Sequence, residues 1–444
     1  MLCGSQHFSL RSLREQKLIS GKISPLLISC FFYILTLMNH LDIIIDERHG
    51  ALWAAAVDQK RKLFALECDT PGEEIRWGSI FLGKVETIDK KLDACWVNLG
   101  GDLMGLMPRK EWPDPNKDPH AGDLLIVQAK TGVTQNQTPA DEQDLMRKVS
   151  IEPKVTRLST DITLPGRYLI YAVKEADNRL SRRIHDQKLR RQMLHMLSEL
   201  KEDLHGCILR AAAESIQTDI LKKEGLYLQS LWEKLQKQAK GHQTAHELMK
   251  GPNAIDRILS DMASCMIESI EVAILEHLNK AEAWCGTFAP DLMTKIEPVQ
   301  IKNAAEDFAL FHHYDLEDQI EDLLQPYILL PDGGNIIMQE TAALLAVDIN
   351  RGGDQVNSNL ELNRLAAKEI GRQLRLRNLG GIVIVDFLKT KSKSDEGIII
   401  AALEDSVAAD ACTVQIHGLT GLGLMELTRQ RRLPTLRDRI RGVK

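Results

Sequence analysis

Apolar residues in this chain fall into short runs with sharp polar stops, and two of those runs stop on an aspartate. Ala343-Leu344-Leu345-Ala346-Val347 ends on Asp348, followed by Ile349 and Asn350, and Gly381-Ile382-Val383-Ile384-Val385 ends on Asp386, followed by Phe387. Continuous aliphatic runs of this length predict buried strands of a parallel sheet. The segment between them, 359–377, has helical composition and carries Arg364, Lys368, Arg372, Arg375 and Arg377. Strand, helix and strand at this length predict a βαβ unit, whose right-handed crossover sets two parallel strands in one sheet. Both aspartates then reach the same carboxyl edge, where open α/β sheets place their ligands.

Earlier segments carry other patterns. "LDIIID" and "ALWAAAV…KLFALEC", around a turn at His49-Gly50, predict an opening hairpin. Residues 75–157 read as a small β-barrel, with turns at Asp89-Lys90 and Gly100-Gly101. Such barrels bind single-stranded nucleic acid through aromatic platforms and flanking cations. Over 158–251 strands ("RYLIYAV", "CILRAAA") alternate with amphipathic helices ("SRRIHDQKLRRQMLHMLSELKED", "LQSLWEKLQKQAK").

Two carboxylates side by side repel each other unless a cation sits between them. A hard, oxygen-preferring ion such as Mg²⁺ fits, and the arginine-rich helix points to a phosphate-bearing substrate. A single aspartate at a strand end also serves as a turn former or helix cap. The pair, with Asn350 two residues on and a cationic helix between, favours a site.

At 444 residues the chain predicts two to four domains. A hydrophobic content of 44% and a charged content of 27% are those of a soluble globular protein. The net charge of −6 excludes nucleic-acid binding through overall positive charge, so any such contact must use local basic patches. No two of the eight cysteines have C-x-x-C spacing, which predicts neither zinc nor a disulfide framework and suits a reduced, cytoplasmic protein. In the first 37 residues, Arg11, Arg14 and Lys17 precede an interrupted apolar run, 23–38. That order suits either an extension ahead of a start at Met38 or a membrane-targeting segment; the first is expected, without stable membrane association.

"AVDIN…RGGD…RQLRLRNLGGIVIVDF" closely resembles the catalytic segment of the RNase E/RNase G family of bacterial endoribonucleases. The likeness extends through "FHHYDLEDQIEDLLQPYILLPDGG" and "GLGLMELTRQRRLPTL", and more weakly over nearly everything from Met38 onward, in the manner of the short, RNase G-like form. It implies an α/β multidomain protein: an RNase H-like scaffold (39–74 and 254–321), an inserted OB-fold barrel (75–157), a 5′-sensor subdomain (158–253) and a DNase I-like catalytic subdomain (322–444). It implies Mg²⁺, with Mn²⁺ a substitute, held by Asp348 and Asp386, while Asn350 helps place the attacking water. The implied substrate is single-stranded RNA cut to 5′-phosphate ends, and the resemblance leaves room for a homodimer. No small-molecule cofactor is implied.

In the barrel the family's RNA-facing aromatic position falls on Trp96, which could equally be barrel core. Its second aromatic position falls on Leu106. Lys84 and Lys130 are candidate phosphate contacts there, and Arg372 and Arg375 on the basic helix. The family's phosphate-gripping arginine falls on Arg210, with Arg182 and Arg183 nearby, but Ala211 replaces the following hydroxyl residue. An arginine ending a strand could instead pair with a surface acid such as Glu202. The chain departs from the family at Lys389, at "SKSDEGIIIAALEDS" and in a shortened loop after Asn350, all around the expected substrate groove. Two other readings therefore stand beside an active endoribonuclease: a catalytically weak RNA-binding protein of the same fold, and another metal-dependent phosphoryl-transfer enzyme.

Overall fold

The computed structural model describes residues 40–441 except 71, 115, 135–154, 185, 302–305, 354–357, 391 and 409. The expectation for the first 37 residues lies outside the described residues.

β1 (His40–Arg48), β2 (Ala51–Val57) and β3 (Leu63–Cys68) open the chain as an antiparallel meander. After the short β4 (Glu73–Ile75) come β5 (Ile80–Asp89), β6 (Ala94–Gly100), β7 (Leu103–Pro108), β8 (Leu124–Ala129), β9 (Val133–Thr134) and β10 (Thr156–Ser159). β11 (Thr163–Pro165), β12 (Leu169–Ala172), β13 (Arg179–Leu180), α1 (Gln187–Leu200), β14 (Cys207–Leu209) and the long α2 (Thr218–Lys240) follow. Next are β15 (His246–Met249), α3 (Ala254–Asp261), β16 (Met266–Val272), α4 (Leu275–Phe288), β17 (Ile296–Pro298), α5 (Ala309–His313) and α6 (Leu316–Asp322). The last stretch holds β18 (Tyr327–Leu329), β19 (Asn335–Glu340), β20 (Leu344–Asn350), α7 (Asn359–Leu376), β21 (Gly381–Asp386), α8 (Lys393–Val407), β22 (Val414–Leu419), β23 (Met425–Arg429) and α9 (Leu436–Arg441).

The first sheet has the order β17-β16-β1-β2-β3, so strands some 200 residues apart in sequence complete it. Every residue of β2 is buried. One face (Ile43, Ile45, Ala54, Ala56) packs on α3 and α4, and the other (Ile44, Trp53, Ala55, Val57) on Phe308, Phe311 and Leu316. Cover on both faces explains the unbroken apolar run of "ALWAAAV".

Five strands close into a barrel: β5 pairs with β6 and β8, β6 with β7, β7 with β10, and β10 with β8. Its core holds Phe81, Val85, Val97, Met107, Trp112 and Val127. This closed five-stranded barrel is consistent with an OB-fold. β15, which the sequence division groups with 158–253, instead pairs with β5 of the barrel sheet. A separate four-stranded sheet, β11-β12-β14-β13, carries α1 and α2 against it.

The final sheet runs β18-β19-β20-β21-β23-β22. Leu345, Val347, Ile349, Val383 and Val385 point to one face and bury against Leu362, Ala366, Ile370, Leu374 and Leu403 of α7 and α8. A Cβ at Gly371 would lie 2.1 Å from Ser406 Oγ, so bare backbone there lets α8 come close to α7. On the opposite face of the sheet Ile382 and Asp386 are exposed, as are Tyr327 and Leu329 on the edge strand.

Candidate functional site

β20 and β21 run parallel, and their register sets Asp348 directly beside Asp386. The expected βαβ unit is present, with its helix over Asn359–Leu376. Equal register in a parallel pair sends both side chains to one face, with backbones about 4.8 Å apart. Along β20 burial alternates, and Asp348 falls in the exposed phase between buried Val347 and Ile349. Asp386 holds the same phase after buried Val385.

Asn350 Nδ2 donates to Asp348 Oδ2 at 2.8 Å, fixing that carboxylate's orientation. Ile337, Gln339, Ala346 and Ile384 line a shallow groove with the two aspartates on the same face. Among the described residues no cationic side chain forms a salt bridge with either aspartate. Also among the described residues, no three His, Cys, Asp or Glu side chains gather as a metal site. Two carboxylates and an amide are a hard-oxygen set, which suits a cation that keeps most of its own waters.

The strand ends are fixed from behind by α7. Asn363, fully buried, donates through Nδ2 to the Leu388 carbonyl at 2.7 Å and accepts the Leu388 N–H at 3.0 Å. Asn359 donates to the Lys389 carbonyl at 2.9 Å and accepts from Arg351 Nη2 at 2.6 Å. Sequence reading missed both asparagines. The available signal was a polar residue at 363 in a helical phase otherwise filled by Leu362, Ala366, Ala367 and Ile370.

Arg372 and Arg375 of α7 correct the expectation that they contact RNA. Arg372 donates to the Leu63 carbonyl and pairs with Glu369, and Arg375 donates to the Phe64 carbonyl with its guanidinium 4.4 Å over the Phe64 ring. Burial lowers the pKa of Arg375. The helix is held between its own sheet and β3, and these cations dock the two together.

In the barrel, Trp96 occupies the outward phase between buried Cys95 and Val97, and the buried tryptophan is Trp112. Leu106 and Thr87 stand opposite Trp96 on the neighbouring strands. Exposed Lys84 pairs with Asn98, two residues along β6 from Trp96, and so shares its face. Lys130 is a second correction. Its ammonium donates to Gln128 Oε1 at 2.8 Å and to the Asp161 carbonyl at 2.7 Å, and burial lowers its pKa. It ties the barrel wall to the following loop.

Arg210 sits at the end of β14, as expected, but its Nη1 donates to the carbonyls of Gly166 and Arg167 and to Ser260 Oγ. Burial lowers its pKa, opposed by Asp261. Its partners are therefore internal rather than Glu202. Arg182 and Arg183 are exposed, with Arg183 Nη1 3.5 Å from the Asp410 carbonyl.

A model of the Ribonuclease E/G family matches residues 163–432. The chain belongs to the ribonuclease E/G family. Ribonuclease G of Salmonella typhimurium (strain SL1344) and of Escherichia coli (strain K12) are each 29% identical to it over 371 residues, covering 80% of this chain and 72% of theirs. Ribonuclease E of Nostoc sp. is 30% identical over 402 residues, covering 88% of this chain and 55% of its own. Within the family match lie the two aspartates, Asn350 and the helix behind them.

Proposed function

We propose that this protein is an endoribonuclease of RNA processing or decay that hydrolyses single-stranded RNA. The observation that carries the reading is the in-register pair of exposed carboxylates Asp348 and Asp386, in a chain of the ribonuclease E/G family. Asp348 and Asp386 hold a divalent cation, Mg²⁺ or Mn²⁺. When bound, that ion supplies polarisation of the scissile phosphate and activation of water. Asn350 holds the Asp348 carboxylate and, through its amide oxygen, orients the attacking water. Water adds to phosphorus and the bond to the 3′ oxygen breaks, leaving 5′-phosphate and 3′-hydroxyl ends.

In this reading the first sheet is an RNase H-like scaffold, the barrel an OB-fold and the last sheet a DNase I-like catalytic unit. The four-stranded sheet with α1 and α2 is a 5′-sensor-like subdomain. Trp96 and Lys84 give the RNA a stacking platform and a phosphate contact on the barrel, and Arg182 and Arg183 add exposed charge. Among the described residues no helix is long and apolar enough to cross a membrane. The six described cysteines are free thiols, which supports a cytoplasmic setting. The edge strand β18, with Tyr327 63% and Leu329 83% exposed, supports pairing with a second copy. Sedimentation of wild type against Leu329→Lys tests that pairing: a dimer lost in the variant is expected, and a wild-type monomer contradicts it.

The activity is tested on a labelled single-stranded oligonucleotide with and without Mg²⁺. Metal-dependent cleavage to products that accept ligation at a 5′-phosphate is expected. Binding without cleavage would leave an inactive RNA-binding protein of the same fold, and cleavage of phosphomonoesters alone would mean a different phosphoryl-transfer enzyme.

A further inference from the structure

Two loops leave the aspartate-bearing strands, and one helix holds both. Arg351 lies three residues after Asp348, and Lys389 three residues after Asp386. The two meet at one side chain: Asn359 accepts from Arg351 Nη2 and donates to the Lys389 carbonyl. One helical turn on, Asn363 pairs with both backbone groups of Leu388, two residues after Asp386. The start of α7 is itself fixed, because Ser358 Oγ accepts the Glu361 N–H.

The chemistry of Asn363 argues for more than packing. Its side chain is fully buried and its neighbours on that helix face are apolar, so a leucine or alanine would meet the packing need without desolvating an amide. The amide instead spends both its hydrogen-bonding atoms on one residue of the loop behind Asp386. Groups that hydrogen-bond metal ligands typically cost about 10- to 100-fold in affinity when removed, and Asn363 acts one link further out, through Leu388 two residues from Asp386.

We infer that Asn359 and Asn363 are positioning residues that set the separation of the Asp348 and Asp386 carboxylates. The inference rests on reading those aspartates as metal ligands. Asn359 spans the two loops and limits how far the strand ends can part, while Asn363 fixes the height of Asp386 on the sheet edge.

The test is Mn²⁺ binding, followed by loss of the free-ion electron paramagnetic resonance signal, in full-length wild type, Asn363→Ala, Asn359→Ala and Asp386→Asn. Thermal unfolding without metal is recorded alongside. The expected result is weaker binding by about tenfold or more in both asparagine variants. Their cleavage should then require correspondingly more metal while RNA affinity holds. If Asn363→Ala fails to fold, the half-buried Asn359→Ala decides. Lower melting temperatures with wild-type Mn²⁺ affinity and metal dependence would make the asparagines merely structural and overturn the inference. Affinity lost in Asp386→Asn but kept in the asparagine variants would remove the inference alone. Equal affinity in wild type and Asp386→Asn would remove the metal reading beneath it.

Discussion

Lys130 and Arg210 have exchanged water for protein partners, and that exchange decides what their removal costs. Arg210 donates to two carbonyls and a hydroxyl that join the turn before β12 to α3. A hydrogen bond to a charged group contributes about 1.5–3 kcal/mol, less what repacking recovers. Arg210→Ala should lower unfolding stability by about 2–4 kcal/mol in urea titrations. It should leave unchanged the ratio of cleavage rates for 5′-monophosphate and 5′-hydroxyl oligonucleotides. A monophosphate preference present in wild type and lost in the variant would restore Arg210 as a phosphate ligand. Sequence places this arginine at the end of β14, but the carbonyls it meets come from a turn 43 and 44 residues earlier. Nothing local in the sequence reports them.

At the scale of elements, alternation carries the information that charge does not. In "ACWVNLG" the period of two puts Cys95, Val97 and Leu99 inside and half-buried Trp96 in the outward phase, which decides between the two roles its sequence position left open. Trp96→Ala should weaken single-stranded RNA binding by about 1–3 kcal/mol, measured by fluorescence anisotropy on the Asp348→Asn background. Unchanged affinity would remove the barrel face from the RNA path. The same measurement on Arg375→Ala should show wild-type affinity with a lower melting temperature, because its partner is Phe64 on β3 rather than RNA. Helical spacing tells which residues of α7 share a face. It does not tell that the face meets a strand more than 300 residues away. The parallel strand pair was legible for the opposite reason: everything that defines it lies within one βαβ unit.

Across the whole molecule, one half-buried carboxylate joins the first sheet to α3 and the chain's last segment. Glu67 on β3 meets Arg257 at 2.9 Å, Arg432 at 2.9 Å and Arg439 at 3.3 Å, and Arg432 also pairs with Asp261. Burial alone would raise the Glu67 pKa, but the three arginines outweigh it and hold it at about 2. A carboxyl depressed on folding adds stability that is full above its unfolded pKa and is lost as pH falls through the folded value. Stability should therefore drop by about 3 kcal/mol between roughly pH 4.5 and pH 2 on account of Glu67. Glu67→Gln should flatten that part of the curve and destabilise the protein at pH 7, because buried Arg439 loses its carboxylate partner while Arg257 and Arg432 keep only Asp69 and Asp261. A parallel acid limb in wild type and variant would show that other carboxylates govern it.

The proposed chemistry rests on the two aspartates, and the most direct test replaces both. Asp348→Asn/Asp386→Asn keeps the shape of the site and removes its negative charge. Cleavage of a single-stranded RNA under saturating Mg²⁺ should fall by several orders of magnitude, with RNA affinity and unfolding midpoint near wild type. A double variant that still cuts at the wild-type rate would contradict the placement of the chemistry on β20 and β21.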